Sequence, residues 1–289
     1  MMSITEPLQP LSSHLLAQGG WLQLGDPADL RHIQFTLPVP SLSPALAGLK
    51  IIHLSDLHFR PRRHPSVEDL IARTLAAKPD LIVITGDFVE SKVDPAPAMP
   101  HVTEFLQRIA NAATLGPPVG VLGNHDRHHL KPHLTGLPLV LLEHQTAVLH
   151  HRDAPIEVIG LVGVDRDELD SSFISSHPPK PAHSLRIVLC HYPDIIRKVA
   201  SLAPDLYLAG HTHGGQVCTP WGFALLKHDS LPRRQCVGLH RWPLARQTAP
   251  GQPPAFTWMH TSPGWGFSAL SIRMFCPPQL TEIVLQPAS

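Results

Sequence analysis

The chain has 289 residues, of which 43% are hydrophobic and 16% charged, so it can bury a sizeable core and lacks the composition of a disordered protein. Its 23 Lys and Arg residues balance 23 Asp and Glu residues, which argues against a chain-wide basic surface and a specific nucleic-acid partner. The four cysteines form no C-x-x-C pair, which favours a reducing compartment over a disulfide framework.

The first residues show neither the positively charged start nor the apolar run of an export signal. No stretch approaches the ~18 uninterrupted apolar residues of a membrane-spanning helix. We therefore predict a cytoplasmic protein, with weak peripheral contact to the inner face of the membrane as an extension of that prediction. Residues 1–20 are predicted to form a loose extension, and residues 1–289 together are predicted to form a single domain.

Short apolar segments along the chain predict buried strands. They are Lys50–Leu54, Leu81–Thr85, Val119–Leu122, Glu157–Val164, Leu185–Cys190, Leu206–Ala209, Ala255–His260 and Leu280–Leu285. Most are continuous apolar runs, which fits strands that are covered on both faces. Helical periodicity between them predicts helices over Ser66–Ala77 and Val102–Ala113. The order of strands and helices predicts an α/β core.

Five of these strands are followed immediately by polar residues that can bind metals. They are Asp56 and His58, then Asp87, then Asn124 with His125 and Asp126, then His191, and finally His211 and His213. A single Asp after a strand is usually a turn residue, and a single buried His is usually structural. Sites in α/β sheets assemble at the carboxyl ends of the strands, so five such coincidences favour a functional site.

The residue types in this set indicate the metal chemistry. Asp, Asn and His without thiolate suit divalent Mn, Fe, Zn or Mg. Seven candidate ligands are too many for one tetrahedral ion, but they serve two ions if one carboxylate bridges. Two ions roughly 3.5–4 Å apart can activate a water and hold both the attacking and the leaving oxygens of a phosphoryl transfer.

The ordered motifs resemble a known family. D-x-H at 56–58, G-D at 86–87, G-N-H-D at 123–126, His191 and G-H-x-H at 210–213 are similar to the calcineurin-like metallophosphoesterase superfamily. The longer forms S-D-L-H at 55–58, H-Y-P-D at 191–194 and A-G-H-T-H-G-G-Q at 209–216 resemble its bacterial branch of YaeI- and YkuE-type phosphodiesterases. The resemblance covers about residues 30 to 285, and its strength lies in the order of the five motifs.

The resemblance implies a fold and a role for each site residue. The fold is a four-layer αββα sandwich of two mixed β-sheets flanked by helices. One metal is bound by Asp56, His58 and His213, the other by Asn124, His191 and His211, and Asp87 bridges the two. His125 and Asn124 contact the phosphate, His125 also protonates the leaving group, and Asp126 orients His125. The implied cofactors are two divalent ions (Mn, Fe or Zn), and the implied activity is phosphodiester hydrolysis by in-line attack of a metal-bridging hydroxide.

The chain departs from its branch in two ways. Relatives often carry an N-terminal anchor or a twin-arginine export signal, which we do not find here, and often have Glu where this chain has Gln279. Residues 215–254 form a proline-rich segment with both basic and aromatic side chains, which we interpret as a flap. Arg233 and Arg234 in this flap are predicted to bind the substrate, which is then a phosphate ester with an apolar portion.

Two alternatives stay open. The first is a pyrophosphatase of a nucleotide-linked lipid, of the UDP-2,3-diacylglucosamine type. The second is a non-catalytic binding scaffold with the same fold, although a scaffold is expected to have lost some of the seven ligands. A covalent mechanism is not indicated, because neither G-x-S-x-G nor a Cys/His nucleophile pattern is present. No feature indicates an obligate protein partner.

Overall fold

The computed structural model describes residues 21–40, 42–227, 229–244 and 255–288. The predicted extension over residues 1–20 lies outside the described residues. So do residues 228 and 245–254 of the predicted flap.

The described residues form fourteen strands and four α-helices. The strands are β1 Leu22–Leu24, β2 Arg31–Val39, β3 Lys50–Leu54, β4 Leu81–Thr85, β5 Val119–Val121, β6 Val140–Leu141, β7 Gln145–His151, β8 Ala154–Gly160, β9 Leu185–Leu189, β10 Leu206–Ala209, β11 Gly238–Pro243, β12 Phe256–Thr261, β13 Ile272–Met274 and β14 Gln279–Pro287. The helices are α1 Val67–Ala77, α2 Met99–Ile109, α3 Arg127–Leu134 and α4 Ser171–Ser176. None of these helices is long and apolar enough to cross a membrane.

Two mixed sheets of six strands each dominate the structure. The strand order is β2-β14-β3-β4-β5-β6 in the first sheet and β11-β12-β10-β9-β8-β7 in the second. Strands β3 to β6 run parallel, as do β8, β9, β10 and β12. The carboxyl ends of the parallel strands in each sheet therefore lie along one edge, which is where the polar motifs follow them.

The inner layer of the core lies between the two sheets. It consists of alternate residues of both, for example Ile51 and Val83 from the first sheet and Ile187 and Leu208 from the second. Their intervening neighbours point the other way, so each central strand is buried on both faces. This double burial explains why these strands are continuous apolar runs in the sequence.

The outer faces of the sheets are covered by helical segments. Ile52 and Ile84 of the first sheet pack with Leu70 of α1 and Phe105 of α2. The second sheet packs against two 3₁₀ segments, Pro193–Lys198 and Ala200–Leu202, and against α4. The four-layer sandwich of two mixed sheets flanked by helices is therefore confirmed.

Some predicted elements differ from the structure. Strands β3, β4 and β10 have the predicted bounds, whereas α2 begins at Met99 and ends at Ile109. Strand β7 lies outside the predicted apolar segments, and it ends with His150 and His151. Strand β7 pairs with β8 through a tight turn at Arg152 and Asp153, which both have positive φ.

Candidate metal centre

The predicted ligands meet where the two sheets face each other. Asp56 and His58 follow β3, Asp87 follows β4, and Asn124 lies three residues after β5. His191 follows β9 in the second sheet. His211 and His213 follow β10, so both sheets contribute to one site.

Most of the ligand positions have an unusual backbone. Five of the seven predicted ligands have left-handed φ values between 45° and 70°, namely Asp56, His58, Asp87, His211 and His213. This conformation is uncommon for residues other than glycine and costs on the order of 1–3 kcal/mol each. It bends each loop so that both members of D-x-H and H-x-H reach the same site.

Glycines next to the ligands allow the loops to approach closely. A Cβ atom on Gly123 would lie 2.2 Å from Asp87 Oδ1, and one on Gly210 would lie 1.9 Å from Ser55 Oγ. Neither position can accept a side chain without moving a ligand loop. The glycines of G-N-H-D and G-H-x-H are therefore part of the site's packing.

The first group of donors consists of Asp56, His58, Asp87 and His213. Their ligand atoms all lie within 4.8 Å of one another. His58 Nε2 is 3.0 Å from His213 Nε2 and 3.3 Å from Asp87 Oδ2. His213 Nε2 is 3.3 Å from Asp56 Oδ1. The side chains of Asp56 and His58 are fully buried.

The second group consists of Asp87, Asn124, His191 and His211. Asn124 Oδ1 lies 3.0 Å from His191 Nε2 and 2.8 Å from His211 Nδ1. Asp87 Oδ2 lies 3.4 Å from His191 Nε2. The same Asp87 oxygen that contacts His58 in the first group thus also contacts His191 in the second.

The opposite nitrogens of two of these rings are held by other groups. His191 Nδ1 donates to the carbonyl oxygen of Thr85 at 2.8 Å. His58 Nδ1 lies 2.5 Å from Glu90 Oε2. With hydrogen on Nδ1, each neutral ring directs the lone pair of Nε2 toward Asp87, which is the arrangement that metal-binding histidines need.

The charges of the buried groups are strongly coupled. Burial alone lowers the pKa of His58, but Asp87 and Glu90 raise it to about 10. Burial also opposes the charge of His191, yet Asp87 raises its pKa to about 9. In return, the two imidazoles hold the pKa of Asp87 well below its usual value despite burial. Asp87 is therefore ionised between two imidazoles, each of which holds a proton that a metal ion would displace.

The donor set suits divalent metal ions. Oxygen and imidazole donors without thiolate suit Mn, Fe and Zn. Nitrogens of different rings converge at 3.0 Å and 3.3 Å, and when all of them carry lone pairs, a cation between them relieves the repulsion. Asp87 belongs to both groups, as a bridging carboxylate must.

His125 lies beside the donors, but Asp126 does not orient it. His125 Nδ1 donates to the Glu90 carbonyl oxygen at 2.8 Å. Asp126 Oδ2 accepts from Gly123 N at 2.8 Å and its Oδ1 from Phe88 N at 2.7 Å. The predicted contact between Asp126 and His125 is therefore wrong, and Asp126 instead joins the loops after β4 and β5. Burial, chiefly, raises the pKa of Asp126 to about 7.

Glu90 is the site residue that sequence reasoning missed. Its Oε2 lies 2.5 Å from His58 Nδ1 and 3.6 Å from His125 Nδ1. Its Oε1 accepts from the backbone N–H of Ala269 at 2.9 Å. Its position three residues after Asp87 was the available signal, because a turn after the strand end returns that side chain to the site.

A cleft of about 680 Å³ opens over the donors. Asp87, Asn124, His125, His211 and His213 line its floor, and Lys92, Arg166, Leu226 and Leu270 are among the residues of its walls. Arg233 and Arg234 are exposed and are not among the described residues that line the cleft. Arg233 donates to the carbonyl oxygen of Leu225 at 3.2 Å. It therefore stabilises the backbone of the predicted flap next to the apolar residues Leu225 and Leu226.

Comparison with known proteins agrees with this architecture. The model of the calcineurin-like phosphoesterase family matches residues 49–215. The chain is 29% identical to the uncharacterized metallophosphoesterase YkoQ of Bacillus subtilis over 82% of this chain and 84% of that protein. It is 31% identical to phosphodiesterase YaeI of Escherichia coli over 83% of each.

Two further likenesses are more distant. UDP-2,3-diacylglucosamine pyrophosphatase LpxG of Chlamydia trachomatis is 25% identical over 70% of this chain and 74% of that protein. The solved structure of the NAD nucleotidase NadN of Haemophilus influenzae shares the fold, with a TM-score of 0.51 at 12% identity over 76% of this chain and 46% of that one. With the family model covering more than half of its length, this chain belongs to the calcineurin-like phosphoesterase family, whose members are metal-dependent phosphoester hydrolases.

Proposed function

We propose that the chain is a phosphodiesterase that uses two divalent ions. The observation that carries the proposal is the position of Asp87. Its Oδ2 lies 3.3 Å from a ring nitrogen of one donor group and 3.4 Å from a ring nitrogen of the other. The name of the relative YaeI supports diesters as the substrate class.

Each donor group would hold one ion. Asp56, His58 and His213 would bind the first, and Asn124, His191 and His211 the second, with Asp87 shared. When bound, the ions would supply an activated water and neutralise charge on the phosphate. The identity of the ions stays open among Mn, Fe and Zn.

His125 is suited to act on the leaving group. The hydrogen bond from its Nδ1 to the Glu90 carbonyl fixes the ring, and its Nε2 lies 3.5 Å from Ser268 Oγ at the cleft. A ring that is protonated at both nitrogens keeps this hydrogen bond and donates from Nε2 toward the substrate. His125 would thus contact the phosphate and deliver a proton to the leaving oxygen.

The test combines metal analysis with a substrate panel. We expect two ions per chain by inductively coupled plasma mass spectrometry after loading with Mn²⁺ or Zn²⁺. We expect faster hydrolysis of bis(4-nitrophenyl) phosphate than of 4-nitrophenyl phosphate. A single ion per chain would contradict the two-metal site, and a preference for the monoester would contradict the diester assignment.

A second candidate is the hydrolysis of an amphiphilic pyrophosphate, as the name of LpxG suggests for that protein. The supporting observation is an apolar rim beside the cleft. Leu226 and Leu270 line the cleft, and Trp221, Phe223 and Leu225 are exposed on the segment that leads to Leu226. Trp21, Leu22 and Leu24 are also exposed, on or next to strand β1. Strand β13 connects these two groups, since it pairs with β1 and bridges to Val217. An acyl chain or a lipid surface would cover such a rim.

A guanidinium group in the cleft supports the binding of a second phosphate. Arg166 Nε lies 3.1 and 3.2 Å from the two carboxylate oxygens of Asp194. The guanidinium carbon stacks 3.9 Å from the centre of the Tyr192 ring, which lies 4.5 Å from the His211 ring. Arg166 therefore lies one aromatic ring away from the second donor group.

Matched substitutions separate the two candidates. Arg166→Gln is expected to raise KM about tenfold for UDP-glucose, which has two linked phosphates, with little change for bis(4-nitrophenyl) phosphate. Arg233→Gln serves as the control, because Arg233 does not line the cleft. Leu226→Asp with Leu270→Asp should raise KM for a diacylated UDP-sugar more than for UDP-glucose. Equal effects on all substrates would contradict the assignment of an amphiphilic pyrophosphate as the substrate.

A further inference from the structure

A series of hydrogen-bonded, mostly buried polar groups runs from Asp56 through strands of both sheets to Gln279 at the start of β14. Its members are Ser55, Thr85, His53, His260 and Thr281, each at most 1% exposed. They come from β3, β4, β12 and β14 and from the loop after β3. Gln279, which is partly buried, is the last member of this series of hydrogen bonds. These five buried side chains are hydrogen-bonded one to the next. Each of them therefore needs a donor and an acceptor that match its neighbours.

The direction of the first hydrogen bonds follows from Asp56. An ionised Asp56 can only accept, so Ser55 Oγ donates to its Oδ2 at 2.6 Å. The alternative acceptor for that hydrogen, the Thr85 carbonyl, is farther away at 3.4 Å. Because the single hydroxyl hydrogen of Ser55 is donated to Asp56, Ser55 Oγ accepts from Thr85 Oγ1 at 2.8 Å. Thr85 then accepts from His53 Nε2 at 2.9 Å.

The remaining bonds continue in the same direction. His53 with hydrogen on Nε2 has a lone pair on Nδ1, which faces His260 Nδ1 at 2.8 Å. His260 must therefore carry its hydrogen on Nδ1 and accept on Nε2 from Thr281 Oγ1 at 3.5 Å. Thr281 accepts from Gln279 Nε2 at 2.7 Å. Each donor is used once, and every hydrogen points toward Asp56.

Both imidazoles in the chain are neutral, as this arrangement requires. Burial, followed by the neighbouring His260, lowers the pKa of His53 well below its usual value. Burial also lowers the pKa of His260 to about 3. A neutral imidazole has one donor and one acceptor nitrogen, so two tautomers in series transmit the direction of the chain.

We propose that His260, His53, Thr85 and Ser55 are positioning residues that fix the Asp56 carboxylate for metal binding through this one-way chain of hydrogen bonds. The proposal rests on the proposed function, since Asp56 must be an ionised metal ligand. It also gives Gln279 a role, because an amide at that position supplies the first donor. Outer partners of metal ligands typically contribute 10–100-fold to metal affinity or activity.

The tautomers provide the direct test. Nitrogen NMR of the metal-loaded full chain, labelled with ¹⁵N-histidine, distinguishes protonated from unprotonated ring nitrogens. We expect hydrogen on Nε2 of His53 and on Nδ1 of His260. The opposite tautomers would overturn the proposal even when metal analysis still finds two ions per chain, so this failure differs from a failure of the proposed function.

Substitutions of His260 test the effect on the metal. His260→Leu removes the donor to His53 and is expected to weaken metal binding by ~10-fold or more, whereas His260→Asn places an amide N–H close to the former Nδ1 and should restore most of the affinity. Thr257→Val is the matched control. Thr257 is a buried polar residue of the same strand, but it does not belong to the series of hydrogen bonds that leads to Asp56. Equal affinities of His260→Leu and Thr257→Val would overturn the proposal.

Gln279→Glu tests the same chain without disturbing the core. A carboxylate at position 279 accepts from Thr281 instead of donating to it, so Thr281 no longer donates to His260. We expect the His260 nitrogen signals to change and metal affinity to fall several-fold. Unchanged signals and unchanged affinity would show that the chain does not transmit the direction set at its end.

Discussion

Replacing Asp87 by Asn changes one charge at the point where the two donor groups meet. Asn is nearly the same size, and its Oδ1 can still accept from the backbone N–H of His125, which lies 2.8 Å from Asp87 Oδ1. Its amide group, however, replaces Oδ2 between His58 Nε2 and His191 Nε2. A donor would then face two nitrogens whose lone pairs are needed by the ions.

The expected loss is large because the carboxylate is only 2% exposed. Breaking a buried charge pair by removing one partner costs about 3–5 kcal/mol. At about 1.4 kcal/mol per tenfold change, this corresponds to a loss of roughly two to four orders of magnitude in affinity, shared between the two ions. Turnover should fall to a small fraction of the original rate.

Isothermal titration calorimetry of metal-free protein with Mn²⁺ or Zn²⁺ measures both affinities. Asp69→Asn is the matched control, because Asp69 is a surface carboxylate that pairs with Arg73. We expect this control to keep two ions and normal turnover. If Asp87→Asn also keeps two ions with near-normal affinity and turnover, the shared position of Asp87 has no functional role and the reasoning is refuted.

Three further predictions follow from the site. His125→Ala should keep both ions but lower turnover by ~10²–10⁴, with a smaller loss for nitrophenyl than for alkyl leaving groups, and equal losses would argue against proton donation. Since the pKa values of His58 and His191 are raised to about 10 and about 9, both rings hold a proton at neutral pH that metal must displace. Metal affinity should therefore rise with pH toward 9 and fall in acid, and a flat calorimetric profile would contradict this. Glu90→Gln removes the charge beside His58 Nδ1 and should weaken metal binding by ~10-fold, measured by the same titration.

The central strands and the ligand loops could be predicted because burial on both faces leaves a clear pattern. Strands β3 and β4 are apolar runs that end at a polar motif, and the structure places both ends at the site. Strand β2 was missed although Ile33, Phe35 and Leu37 alternate with more exposed residues. Its half-exposed pattern includes a proline, which weakened the signal of a strand.

The contacts between side chains could not be predicted from spacing. Asp126 is adjacent to His125 in the sequence, but its carboxylate accepts hydrogen bonds from the backbone N–H groups of Gly123 and Phe88. Both of these residues lie in loops after strands. Glu90 reaches His58 and His125 only because the loop after β4 turns back over the site. Such contacts depend on loop conformation, which one sequence does not specify.

The two-metal site is tested most directly by a crystal structure of the Mn²⁺-loaded protein with anomalous scattering. We predict two anomalous peaks roughly 3.5–4 Å apart, with Asp87 Oδ2 between them. One peak should contact Asp56, His58 and His213, and the other Asn124, His191 and His211. A single peak, or two peaks that do not share Asp87, would contradict the account.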